Sequence, residues 1–116
     1  MFGKERSLQM IDVRKLESLL ERGRDSALLR FGLGKHYLDA NEQARAAAQL
    51  HRCVGLDPGY SAAWKLLGKA QHEIGDIAAA RHAWENGVLA ARRNGDVQAE
   101  KEMNVFLRRL ARTSTP

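Results

Sequence analysis

Apolar residues along the chain recur at helical spacing. Leu16, Leu19 and Leu20 stand at i, i+3 and i+4, and Met103, Phe106, Leu107 and Leu110 at i, i+3, i+4 and i+7. Each set forms one apolar stripe on a 3.6-residue period. Turn signals punctuate these stripes at regular intervals: Gly23, Asn41, the run Asp57-Pro58-Gly59, Gly75 and Asn94-Gly95. The segments between them predict helices near 10–22, 26–40, 42–56, 60–74, 77–93 and 96–111. Asp25 or Ser26, Asn41, Asp76 and Asp96 stand where a helix wants a side chain that accepts from its first free amides. Gly23, Gly75 and Gly95 stand where a left-handed residue closes a helix.

Composition narrows the class. The chain has 116 residues and a mass of 13.0 kDa, which is the length of one domain. Hydrophobic residues make up 44% and charged residues 28%, a balance that excludes wholesale disorder. Aromatics are only 6% and prolines only Pro58 and Pro116. Strands favour β-branched and aromatic residues, so an all-β fold is disfavoured. The formal net charge is +5, which favours acidic partners. A single cysteine, Cys53, has no internal disulfide partner and suits a reducing compartment. No apolar run is long enough to span a bilayer, and the N-terminus lacks the apolar core of a secretory leader. A cytoplasmic location without membrane attachment is expected.

Near-constant helix spacing invites a search for an internal repeat. Shifted by 34 residues without a gap, Leu33-Gly34-Lys35 falls on Leu67-Gly68-Lys69, Ala44 and Ala46 on Ala78 and Ala80, Leu50 on Trp84, and Val54 on Val88. Gly34 and Gly68 fall inside predicted helices, where glycine costs about 1 kcal/mol relative to alanine. A glycine placed there twice, one period apart, predicts a neighbouring helix too close for a side chain. Ala46 and Ala80 fit the same pattern in the second helix of each pair.

These positions resemble the tetratricopeptide repeat family. The second copy presents Trp64, Leu67, Gly68, Ala80, Trp84 and Gly87, and the first presents Leu33, Gly34, Tyr37, Ala46, Leu50, Cys53 and Pro58. The resemblance covers about residues 27–94. It departs from the family pattern at Arg30, where a Trp is expected, at Gln71, where a Tyr is expected, and at Arg92, where a Pro is expected. The last departure predicts that the helix begun at 77 runs on slightly longer. Leu16 and Leu20 match Leu50 and Val54 one period earlier, so residues 10–22 read as the second helix of a degenerate preceding repeat. Residues 96–111 lack the Leu-Gly pattern and read as a capping helix that shields the last repeat. Glu100, Lys101, Arg108 and Arg112 are placed on its outer face.

The expected fold is therefore all-α, a tetratricopeptide-like α-solenoid. It comprises two helix-turn-helix repeats (27–60 and 61–94), an extra N-terminal helix and a C-terminal capping helix. Residues 10–112 are expected to form a single domain between a flexible N-terminus (1–9) and a flexible tail (113–116). The resemblance implies a concave groove, lined by the first helix of each pair, that holds a segment of a partner protein. Carried over by position, the groove residues are Leu28, Phe31, Lys35 and Leu38, then Ala62, Lys65, Lys69 and His72. Lys65, Lys69 and His72 share one helix face, and Lys35 precedes Lys69 by one period. Phe31 and Leu28 would add apolar anchoring, and an acidic peptide or segment is the matching partner. A sub-family grips chaperone tails with a clamp of Lys and Asn. Here Lys35 and Leu66 stand where its asparagines belong and Phe31 replaces a clamp Lys, so chaperone-tail binding is not expected.

Other chemistry is sparse. No nucleophile elbow, phosphate loop or paired carboxylates in a defined setting is present, so no catalytic residue is assigned and the chain is read as non-enzymatic. No cofactor is implied. His36, His51, His72 and His82 form no HExxH or HxxxH pair, and His51 and Cys53 diverge on their helix, so no metal site is predicted. Cys53, Trp64 and Trp84 read as core residues. Arg92, Arg93, Arg108, Arg109 and Arg112 could contact phosphates, though no aromatic residues interleave with them. A basic nucleic-acid- or ribosome-associated factor is one alternative function. A structural or self-associating subunit is another, although a monomer is the favoured state.

Overall fold

The structure, a computed structural model, describes residues 12–113. The expectations for 1–9 and for residues beyond 113 lie outside the described residues, as does the predicted start of the first helix at 10. Among the described residues there are six helices: α1 (Asp12–Glu21), α2 (Ala27–Asp39), α3 (Gln43–Leu56), α4 (Ser61–Ile74), α5 (Ile77–Asn94) and α6 (Val97–Thr113). The fold is all-α.

The helix boundaries follow from the turn chemistry, with one exception. The Ser26 hydroxyl accepts from the Leu29 amide at 3.1 Å, and Asp76 and Asp96 accept from the amides of Ala79 and Ala99, each at 3.1 Å. Gly23, Gly75 and Gly95 take the left-handed conformation at φ 76°, 97° and 69°. Asn41 is not an N-cap. It is itself left-handed, at φ 59°, and the next amide, that of Glu42, donates back to the Tyr37 carbonyl at 2.8 Å. Asn41 thus does for α2 what Gly75, one period later, does for α4, where the Asp76 amide returns to the Gln71 carbonyl at 2.9 Å. Asparagine tolerates this conformation better than other side-chain-bearing residues. The N-cap of α3 passes to Glu42, which makes no side-chain capping bond.

Successive helices pack as antiparallel neighbours, and the stack measures 46 Å along its long axis against 29 and 27 Å across. Leu33, Leu50, Leu67 and Met103 are fully enclosed, and each contributes about 1.5–3 kcal/mol by leaving water. The two repeats interlock through their mid-helix glycines. A Cβ on Gly34 would lie 2.5 Å from Leu50 Cγ, and one on Gly68 would lie 2.6 Å from both Cδ1 and Cε2 of Trp84. A third such contact joins α5 to α6, where a Cβ on Gly87 would meet the Met103 sulfur and lie 2.8 Å from Trp64 Cβ.

Curvature follows from which helices meet. α2 touches α4 and α4 touches α6, whereas α3 and α5 do not touch. The first helices of the pairs therefore crowd along one face and the second helices splay on the other. The crowded face is concave and is lined by α2, α4 and α6. The two repeats differ at their ends. Pro58 follows α3, which has 14 residues, whereas Arg92, one period later, lies inside α5, which has 18. A strict period from Ser61 would start α6 at residue 95, but it starts at Val97. The α5–α6 junction is tied to the start of α4: the Asn94 side-chain Nδ2–H donates to the Gly59 carbonyl, and the buried Ser61 hydroxyl donates to Asp96 at 3.0 Å.

Candidate functional site

Two adjoining cavities open on the concave side. The larger, of about 500 Å³, lies between α4, α5 and α6. Trp84, Phe106 and Leu110 give it an apolar floor, and Lys69, His72 and Arg109 stand among the polar residues around it. The smaller, of about 220 Å³, lies between α2 and α4 and includes Lys35, Leu38, Asp39 and Leu66. Lys69 and Glu73 line both. The cavities are therefore consecutive stations on one groove, with Lys69 between them.

The floor of the larger cavity is built by Gly68. With no side chain there, the Trp84 indole lies directly against α4 and its Nε1–H donates to the Lys65 carbonyl at 3.0 Å. The fixed ring then meets Phe106 at 5.0 Å and His72 at 6.0 Å between centroids. Trp84 is 4% exposed, so it packs the core with most of its surface and offers its remaining edge to the cavity. Phe106 arrives from α6, one turn before Leu110 and three residues before Arg109.

The predicted groove residues fall into three groups. Lys35, Leu38 and Lys69 are brought together around the smaller cavity, and Lys69 and His72 around the larger. Lys65 is already engaged: its Nζ lies 3.3 Å from Glu102 of α6 in a half-buried ion pair. Leu28 and Phe31 line neither cavity. Leu28 is 72% exposed at the start of α2, and Phe31 is half-buried, stacked on Tyr60 at 4.8 Å and packed against the first core cluster. Trp84, Phe106 and Arg109 were absent from the predicted groove. Trp84 and Phe106 carry a core signal in the sequence, and their shared edge on the cavity depends on how α6 docks.

Charge around the groove is mixed, with Lys35, Lys69 and Arg109 against Asp39 and Glu73. Lys35, Lys69 and Arg109 are exposed, while Glu73 accepts a hydrogen bond from Gln43 at 3.0 Å. On the basic C-terminal face Arg92 is paired with Glu100 at 2.8 Å, and Arg93, Arg108 and Arg112 are exposed. At the other end of the stack Arg30 grips Asp25 through two bonds of 2.8 and 3.1 Å and also donates to Gln49 at 2.8 Å. The Arg30 bond holds the Asp25 carboxyl below its ordinary value of 3.8. Burial, with the charge of Asp57, pushes the Cys53 thiol up to about 11, so it carries little thiolate at neutral pH. Burial likewise raises Tyr60. Among the described residues no group of three or more His, Cys, Asp or Glu is placed to hold a metal ion, and no helix is long and apolar enough to cross a membrane.

Comparison with known proteins gives a consistent set of relatives. A TPR repeat-containing protein of Pseudomonas aeruginosa is 60% identical over 103 residues, which is 89% of this chain and 98% of that protein. A heat-shock protein cognate co-chaperone of Aspergillus fumigatus is 27% identical over 74 residues, 64% of this chain but only 22% of that protein. The solution structure of a protein from Bordetella parapertussis superposes with a TM-score of 0.72 at 49% identity, covering 86% of this chain and 87% of that one. A tetratricopeptide repeat domain protein from Salinibacter ruber superposes with a TM-score of 0.70 at 22% identity, covering 75% and 97%. No protein-family model matches the chain.

Proposed function

The chain belongs to the tetratricopeptide repeat family, whose members generally serve as protein-interaction modules, and on that premise we propose that it holds an acidic segment of a partner protein in its concave groove. The observation that carries this reading is the placement of Lys69 between two cavities, with Lys35 beside one and Arg109 beside the other. Cations on a common groove are matched by carboxylates on an extended segment. The net charge of +5 favours approach of such a partner by long-range attraction. In this reading the protein is a monomeric, non-enzymatic adaptor of the cytoplasm, and Lys65 sets the groove wall through Glu102. The co-chaperone relative does not extend the reading to chaperone tails, because Phe31, Lys35 and Leu66 occupy the clamp positions.

A pull-down from host lysate tests this, with wild type and a Lys35/Lys69→Glu variant, which spares the Lys65–Glu102 pair, run side by side, with and without nuclease. A protein retained by wild type, lost by the variant and indifferent to nuclease is the expected result. Retention by both would remove the groove. Recovery of only nucleic acid and ribosomal proteins, abolished by nuclease and by raised salt, would transfer the function to the basic C-terminal face.

A further inference from the structure

The larger cavity differs in kind from the smaller one. Its lining is chiefly apolar, while the lining of the smaller cavity is more polar than apolar. A site of about 500 Å³ is in the range that encloses a bulky side chain or a small ligand. Its floor includes two aromatic rings whose centroids lie 5.0 Å apart, a surface against which an entering ring packs favourably. Among the described residues neither exposed cation beside it, Lys69 or Arg109, forms an ion pair, and Glu73 is the carboxylate in its lining. The smaller cavity continues from Lys69 to Lys35 along the same groove. An apolar pocket edged by Lys69 and Arg109 is thus followed along the groove by a polar cavity in which Lys35 and Lys69 stand beside Asp39 and Glu73.

We infer that the cavity floored by Trp84 and Phe106 is an anchor pocket for one bulky apolar side chain, best an aromatic one, of an extended partner segment whose adjacent acidic residues lie over Arg109 and Lys69. This rests on the groove reading above and gives that groove a specificity: an apolar anchor flanked by carboxylates. Lys35 and Leu38 receive the continuation of the segment. Phe31 and Leu28 take no part in it. The apolar residue supplies most of the affinity, because a ring that leaves water for a preformed pocket gains more than a solvent-exposed ion pair. The carboxylates orient the segment and raise its rate of encounter.

The test uses heteronuclear NMR of the full-length, isotope-labelled protein. The probes are blocked glutamate-rich peptides that carry one central phenylalanine, or alanine in its place, and a lysine-rich peptide with the same phenylalanine. The two indole N–H resonances give separate readouts, since Trp84 lies in the pocket and Trp64 donates instead to the Pro58 carbonyl. The glutamate-phenylalanine peptide should shift the Trp84 resonance saturably and bind about tenfold or more tightly than the alanine peptide. The lysine peptide should not bind. Arg109→Glu and Lys69→Glu, both at exposed positions, should each weaken the interaction while leaving the melting temperature in place. Equal affinity for the phenylalanine and alanine peptides would overturn the anchor pocket. So would shifts confined to residues around Lys35 and Leu38 with Trp84 unmoved, a result that leaves the groove reading intact. Binding indifferent to both charge reversals would remove the flanking carboxylates. No shift with any peptide would reject the inference, and the groove reading would then depend on the pull-down alone.

Discussion

The two repeats share a 34-residue frame and use it differently. At the interlocking position the first copy places Leu50, which fills its space and ends there. The second copy places Trp84, which fills the same space, bonds to the Lys65 carbonyl and still reaches the groove. At the position of the family's first large residue, Trp64 packs between two core clusters and donates to the Pro58 carbonyl at 2.8 Å. Its counterpart Arg30 instead makes a polar junction with Asp25 and Gln49. At the end of the second helix, Pro58 stops α3 while Arg92 lets α5 run a further turn. The repeat frame thus fixes where small residues face large ones, and the large residue chosen decides whether an interface is merely closed or also carries a site.

Exchanging the ends of the two repeats should have the greatest effect. Arg92→Pro gives the second copy the first copy's proline. Within α5 it removes a backbone donor and clashes with the preceding turn, at a cost of about 3 kcal/mol or more. It also releases the Glu100 pair and disturbs the junction made by Asn94, Asp96 and Ser61. Thermal denaturation should show a drop of about 10 °C. A melting temperature within about 2 °C of wild type would mean that the longer α5 does not matter.

Filling the two interlocking glycines should separate the copies further. Gly68→Ala sets a Cβ against a rigid indole and disturbs its bond to Lys65. A loss of about 2 kcal/mol is expected, within the range for overpacking. Gly34→Ala meets the more flexible Leu50 side chain and regains up to about 1 kcal/mol of helix propensity, so its loss should be smaller. Equal melting temperatures in the two variants would erase the distinction between Leu50 and Trp84.

The smallest effect separates the copies by pH. The Arg30 guanidinium lowers the folded-state carboxyl of Asp25 below 3.8. The stability it contributes is therefore complete above that value and is lost as pH falls through the lowered one. Arg30→Ala should melt below wild type at neutral pH, and the gap should narrow on acidification below 3.8 to what the Gln49 bond contributes. The deficit of Trp64→Ala, which removes apolar packing, should persist over the same range. A gap for Arg30→Ala that does not respond to acid would show that packing, and not the ion pair, holds this end.

Much of this was legible in the sequence because glycines and helix caps act locally. Gly34 and Gly68 announced close approach by occupying costly positions, and Ser26, Asp76 and Asp96 capped the helices they precede. Arg92 announced the longer α5. Asn41 was misread because an amide side chain serves either as a cap acceptor or as a left-handed residue, and only its neighbours decide between them. The cavity was illegible for a different reason. Its floor joins Trp84 to Phe106 across an interface where the 34-residue period no longer holds, since α6 begins two residues beyond it. No shift of the chain against itself brings those residues together. Phe31 pointed to the groove by its position, and in the fold Tyr60 covers one face of its ring.

Among the described residues, α1 packs against α2 and against no other helix. Beyond immediate neighbours, only alternate first helices meet among the described residues. In such a molecule disturbances are damped within one or two helices, as in a row of coupled links with short-range springs. Among the described residues, α1 reaches the pocket between α4, α5 and α6 by way of α2, which touches α4. A substitution on the outer side of α1 is therefore separated from the pocket by two helix interfaces, α1–α2 and α2–α4.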